Sequence, residues 1–235
     1  MAWKFIQYQF ISYIRSLTFI PPLTVFIGWI ILFYTYTGVP IMSSYAVTCV
    51  SLYLIMTWVA MSVFSLEEDG EKNLLFVQLP NKVQYLLGKW IVCVLIASFL
   101  GLYAIVYPLA INSFIESADF TYISIAIYGH LFFAVFGIFI GSFFSNTKVE
   151  SKRFAWLSAM LVIAISIAQE GIIEKAIVFK WILLPFPPVA QVLRYFSDEA
   201  FHIGKDFWMS AAWVVCYSLI SGFVIMRIFM RREQY

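Results

Sequence analysis

Six apolar stretches, each close to twenty residues long and set apart by short polar breaks, leave this chain few ways to fold. A helix needs about 20 apolar residues to cross the roughly 30 Å hydrocarbon layer of a bilayer. Inside that layer each backbone N–H and C=O must find a partner within the protein, so runs of this length read as spanning helices. They lie near residues 18–37, 42–64, 90–111, 122–144, 154–173 and 207–226. Only 12% of the residues are charged, which is about half of what a soluble domain carries. The expected fold class is an all-α integral membrane protein, with residues 1–235 as a single transmembrane domain. No room is left for a separate ATP-binding fold, and no phosphate loop of the form G-x-x-x-x-G-K-S/T occurs.

The first fifteen residues have a helical rhythm. Trp3, Ile6, Phe10, Tyr13 and Ile14 share one face, Lys4, Gln7, Ser12 and Arg15 fall mostly on the other, and Phe5, Gln9 and Ile11 break the pattern. This predicts an interfacial helix lying in the membrane plane over residues 1–15; the plainer alternative is a polar lead-in to the first span. Trp, Gln, Tyr and Lys are mixed here without a small-residue cleavage site, so a cleaved signal peptide is not expected. Pro21 and Pro22 stand near the start of the first span, where a helix tolerates proline best. Cys49, Cys93 and Cys216 sit in apolar runs with no pairing pattern, and they imply neither a disulfide nor a metal site.

Lysine and arginine set the orientation. With the N-terminus inside, the cytoplasmic set is Lys4, Arg15, Lys72, Lys82, Lys89, Lys148, Lys152, Arg153, Arg227, Arg231 and Arg232. The outer set is Lys175, Lys180, Arg194 and Lys205. The expectation is a multi-pass protein of the cell membrane with both termini cytoplasmic.

Residues 174–206 do not read as a simple outer loop. An apolar run from Ala176 contains Lys180 and then meets Pro185, Pro187 and Pro188, a density of proline that no continuous helix survives. Two short helices dipping into the outer leaflet, a re-entrant outer helical hairpin before the last span, fit this pattern, and a loop resting on the membrane is the alternative. Glu170 and Glu174 at the end of the fifth span are expected to face a wet outer exit beside the three prolines.

The chain offers little for covalent chemistry. Its two histidines, His130 and His202, form no zinc motif. His130 falls in the fourth span among apolar residues, where a hydrogen-bonded histidine inside a bundle is the plain reading and a proton or substrate role the sharper one. Glu67-Glu68 with Lys72, together with His202 and Asp206, faintly resembles the CAAX-type intramembrane protease family. However, Lys stands in place of the Arg, and Ala126 where Phe would begin the F-x-x-x-H element. The predicted orientation also separates Glu67 from His202 by a hydrocarbon thickness of about 30 Å, too far to share a metal ion. Gly137 and Gly141 form a G-x-x-x-G in the fourth span and predict close helix packing, either within one chain or between two copies. The net charge of +2 gives no reason to expect nucleic acid as a partner.

The long polar interruption over residues 65–89 carries the functional information. Glu67, Glu68, Asp69 and Glu71 precede Lys72, Lys82 and Lys89. The acids favour a following helix start through its dipole. A one- to two-turn helix is expected over residues 73–79, stopped by Pro80, with Leu75, Phe76 and Leu79 on one apolar face. An exposed apolar patch rimmed by charge marks a partner surface; the alternative is an amphipathic turn facing lipid.

Asp69, Gly70, Glu71, Leu74, Leu75, Leu79 and Pro80, followed by Tyr85, Gly88 and Lys89 at the entry to the third span, resemble the loop of ABC-2-type ABC transporter permeases. The resemblance covers nearly the whole chain in architecture but only this loop in motif. It implies that residues 65–89 form a cytoplasmic coupling loop seated on an ATP-binding subunit, with Leu74–Leu79 as the contact. Lys148, Lys152 and Arg153 in the second cytoplasmic loop would make a lesser contact, although topology alone also demands basic residues there. It further implies a non-catalytic permease that pairs with a second copy or a related permease and moves an amphipathic or hydrophobic cargo, such as a peptide or antimicrobial compound, outward. ATP and Mg would be bound by the partner ATPase, with no cofactor in this chain. A membrane adaptor or immunity protein that binds a peptide without ATP is the reading of a different class.

Overall fold

A computed structural model describes residues 2–146, 152–196 and 204–232. They form helices joined by short links, with no strand among the described residues. Five helices are long and apolar enough to cross a membrane, or six if the bent pair at the N-terminus makes one span. A multi-pass membrane protein follows from those lengths.

α1 (Ala2–Arg15) and α2 (Ile20–Phe33) meet at an angle of 76°. Leu17, in the link, has a left-handed φ of 58°, and Pro21 and Pro22 occupy the first turn of α2, where their missing N–H groups cost nothing. α2 is shorter than its apolar run suggests. Fourteen residues rise only about 21 Å, and the chain turns at Tyr34. The following turn uses Gly38 at φ +76°, a conformation open to glycine. There Gly38 and Val39 donate to the Ser113 carbonyl at 2.8 and 3.1 Å, tying this turn to the link that follows Ala110.

The remaining long helices are α3 (Ile41–Phe64), α5 (Lys82–Ala110), α6 (Phe120–Asn146), α7 (Lys152–Lys175) and α10 (Lys205–Arg232). α3 and α6 form the spine. Gly137 and Gly141 make their close approach possible: a Cβ on Gly137 would stand 2.7 Å from the Tyr53 carbonyl oxygen, and one on Gly141 2.6 Å from that of Thr57. The G-x-x-x-G thus packs within one chain. One apolar core lies on each side of this spine. The first gathers α2, α3, α5 and α6 around Phe26, Leu52, Val59 and Leu100. The second gathers α3, α6, α7 and α10 around Tyr53, Phe133, Phe136 and Ile163. α7 and α10 are the least buried of the long helices and leave broad apolar faces outward.

Three short helices complete the described residues. α4 (Asp69–Gln78) caps one end of the bundle, here the α4 end. α8 (Phe179–Ile182) and α9 (Val189–Leu193), the latter running into a 3-10 turn at Arg194–Phe196, flank the proline break. α8 buries nothing, whereas Val189, Val192 and Phe196 are inside the second core.

Candidate functional site

The α4 end is built on one carboxylate. Glu67 follows α3, and its Oε1 accepts from the Gln9 amide of α1. Its Oε2 accepts from the Tyr85 hydroxyl at 3.1 Å and from the Lys89 ammonium, both on α5. Lys89 is fully buried. It also donates to the Val63 carbonyl at 2.7 Å and lies 4.9 Å from the Tyr85 ring centroid and 5.3 Å from that of Phe64. A buried ammonium without such partners would be severely penalised. This one has an anion, a carbonyl and two aromatic faces, so three helices are held by one set of charge-assisted bonds.

Gly88 lets α1 lie close. A Cβ there would sit 2.6 Å from the Phe5 ring, so α1 crosses α5 at that glycine. The α1 face turned to the protein is Phe5, Ile6, Gln9 and Tyr13, while Trp3, Phe10 and Ile14 are exposed. This corrects the expected packing: two residues that break the apolar rhythm, Phe5 and Gln9, form the buried seam. The reason is the waiting Glu67, which makes a buried amide more favourable there than another apolar group.

α4 lies over this assembly and starts earlier than expected. Asp69, Gly70 and Glu71 belong to its first turn, and Glu68 is the extended residue before it. Phe76 packs edge-on against Tyr85 at 5.1 Å and against Phe229 of α10 at 6.2 Å, with Leu75 and Leu79 in the same cluster. Leu75 and Leu79 are therefore half-buried and hold α4 down. Leu74 and Val77, one turn apart, are the outward apolar residues, at 66% and 86% exposure. In the sequence only an i+3 relation to Leu74 marks Val77. Between α1 and α4 runs an open groove of about 780 Å³, walled by Lys4, Phe5 and Tyr8 on one side and Glu71, Leu74 and Gln78 on the other, with Leu75 and Leu79 also lining it. α4 joins α5 through only Leu79, Pro80 and Asn81, and the Asn81 side chain caps α5 by accepting from the Val83 N–H at 3.0 Å.

The basic loop gives less. Lys148 lies outside the described residues, whereas Lys152 and Arg153 begin α7. At the far end, Glu170 and Glu174 are one turn apart and exposed on α7, and neither lines the cleft that Pro185 and Pro187 line. Pro187 and Pro188 are buried, and Pro185 is exposed with its carbonyl accepting from the Tyr217 hydroxyl at 2.7 Å. The amide of Gln169 donates to the Leu183 carbonyl at 3.3 Å. Tyr217 packs on Phe136 at 6.0 Å, and Phe136 on Tyr53 at 6.5 Å; each of the three stands near the middle of its helix. Pro185 and Pro187 line a cleft between α6 and α10 of about 630 Å³ with almost wholly apolar walls.

His130 is buried between α3 and α6. Its Nδ1 is 2.7 Å from the Ala126 carbonyl, which only accepts, so Nδ1 carries the proton. Nε2 then faces the Thr48 hydroxyl at 3.0 Å, whose single proton it shares with the Tyr45 carbonyl, also at 3.0 Å. Both nitrogens are satisfied by the bundle, which gives the histidine a packing role. His202 lies outside the described residues, and no group of three His, Cys, Asp or Glu among the described residues could hold a metal ion. The Glu67 carboxylate is already committed to Gln9, Tyr85 and Lys89.

No protein-family model, curated protein or solved structure matches the chain.

Proposed function

We propose that this chain is the membrane subunit of an ATP-driven exporter of the ABC-2 type, with α4 as the helix through which a separate ATPase acts. The observation that carries this reading is the placement of α4. It lies across the ends of α1, α5 and α10, shows Leu74 and Val77 outward, and is three residues from the start of a spanning helix. A short helix placed so passes an applied push to three membrane helices at once. ATP and Mg belong to the partner subunit, and this chain supplies the pathway and the coupling.

In this reading the α4 end is cytoplasmic, as the lysine and arginine distribution favours. The segment around Pro185 is re-entrant. Its bond to Tyr217, near the middle of α10, favours that depth over a loop resting on the surface. The outward apolar faces of α7 and α10 leave ample area for a second permease copy, and a hydrophobic or amphipathic cargo suits the aromatic span surfaces. The test is to purify the chain with an ATP-binding subunit encoded beside it and to measure stimulated ATP hydrolysis. Retention of full binding and stimulation by the double variant Leu74→Glu, Val77→Glu would overturn the assignment. An adaptor that binds peptide without ATP would retain peptide and show no ATPase partner at all.

A further inference from the structure

The cleft between α6 and α10 has dimensions that the export reading does not explain. Trp213 lines it at one end, and one turn further along α10 the Tyr217 hydroxyl holds the Pro185 carbonyl, with residues 184–187 lining the cleft. From there it runs down α10 past Ile220 and Val224 to Ile228, with Phe139 and Phe143 of α6 on the other wall. Phe139 seals that wall against α10 at Gly222, where a Cβ would meet its ring at 3.2 Å. Three helical turns separate Tyr217 from Ile228, a rise of about 16 Å. One leaflet of the hydrocarbon layer is about 15 Å deep. The stretch of the cleft from Tyr217 to Ile228 is therefore one leaflet long, and it is open along the exposed Ile220 and Val224.

Its open end is marked by charge. Arg231 follows Ile228 by three positions, which places it on the same face of α10 just beyond the apolar wall, and it is exposed. An apolar slot that ends at a guanidinium has the polarity of a single phospholipid, with its chain inside and its phosphate at the mouth. Its volume of about 630 Å³ is that of a ligand site rather than of a packing defect.

We propose that this cleft binds one acyl chain of a membrane phospholipid, with Arg231 at the headgroup phosphate. The site needs only a bilayer around the helices and is independent of the export reading. An anionic lipid is favoured over a zwitterionic one, because no acidic side chain shares the mouth among the residues that line the cleft.

The experiment is native mass spectrometry of the full chain released from nanodiscs containing phosphatidylglycerol or phosphatidylcholine, with measured lipid retention. The wild type is expected to retain one lipid, with phosphatidylglycerol preferred. Val224→Trp and Ile220→Trp fill the slot. Loss of contact with even two methylenes lowers affinity roughly tenfold, so retention should fall by about that factor. Leu219→Trp, on the outward side of α10, should retain lipid as the wild type does. Arg231→Gln should abolish the headgroup preference while the chain stays bound. Equal retention in all the tryptophan variants would overturn the proposal, as would equal loss in Leu219→Trp. Should the filling variants fail to fold, a diazirine-bearing phosphatidylglycerol decides on the wild type. Adducts concentrated between Ile220 and Ile228 support the site, and adducts spread evenly over α2, α7 and α10 refute it. Dimer formation through a Val224→Cys disulfide with no lipid retained would assign the cleft to a second copy instead.

Discussion

Lys89 and Glu67 form an ion pair sealed from solvent at the α4 end, and the same carboxylate holds Gln9 of the N-terminal helix. The pair joins α5 to the end of α3 and, through Gln9, both of these to α1. Breaking one partner of such a pair leaves the other charge buried, a loss of about 3–5 kcal/mol in buried examples. Lys89→Met and Glu67→Gln are each expected to lower thermal stability in detergent strongly. Lys89→Met combined with Glu67→Leu should recover part of that loss, since neither charge is then stranded. Equal or additive losses in the double variant would refute the pairing as the source of the effect.

The glycines of α6 make a second contrast. Gly141→Ala places a Cβ 2.6 Å from both the Ala60 Cβ and the Thr57 carbonyl oxygen, so α3 and α6 must part, at a cost of about 1–3 kcal/mol. Gly28→Ala on α2 meets nothing within 4 Å and should stabilise its helix by about 0.5–1 kcal/mol. Melting temperatures of the two variants should move in opposite directions.

The two faces of α4 predict separable defects. Leu74→Glu with Val77→Glu changes only outward residues; it should leave the melting temperature within a few degrees and reduce ATPase co-purification sharply. Leu75→Glu puts a charge into the cluster with Tyr85 and Phe229 and should destabilise the chain itself. Thermal unfolding read alongside pull-down separates the outcomes. A stable Leu75→Glu variant that alone loses the ATPase would reverse the assignment of the faces.

Tyr217→Phe removes the hydroxyl that holds the Pro185 carbonyl. A hydrogen bond of this kind is worth about 1 kcal/mol, so local opening of residues 183–187 should rise about fivefold. Amide exchange at Phe186, whose N–H is bonded to the Leu183 carbonyl at 3.0 Å, reports it. Unchanged exchange would mean that the buried Pro187 and Pro188 alone fix the segment.

Much of this architecture is legible in the chain because apolar run length converts directly into spanning helix. α6, expected over 122–144, is found at Phe120–Asn146, and α3 and α7 agree comparably. α2 departs because the chain turns from Tyr34 onward, with Gly38 at positive φ, and hydropathy does not report φ. At α4 Gly70, a poor helix former, lies in the first helical turn, so the helix begins four residues sooner than the leucine spacing suggests. The seat of α1 was hidden for a different reason. Gln9 breaks an apolar rhythm, and its partner lies 58 positions away. Two lone charges at the edges of neighbouring spans, Glu67 and Lys89, were the available signal. Pairing them would have pointed to a third polar residue nearby.

The position of Lys89 also sets an order of events during synthesis. Gln9 and Glu67 leave the ribosome first, and their amide–carboxylate bond can form while α5 is still being made. The counter-charge for Glu67 arrives only when the chain has been extended through α4 and into the next spanning helix. Until then the carboxylate must stay near water, so the end of α3 cannot settle to its final depth. The packing of α1 on α5 at Gly88 is therefore completed late, although α1 is translated before α5 and can already hold Glu67 through Gln9.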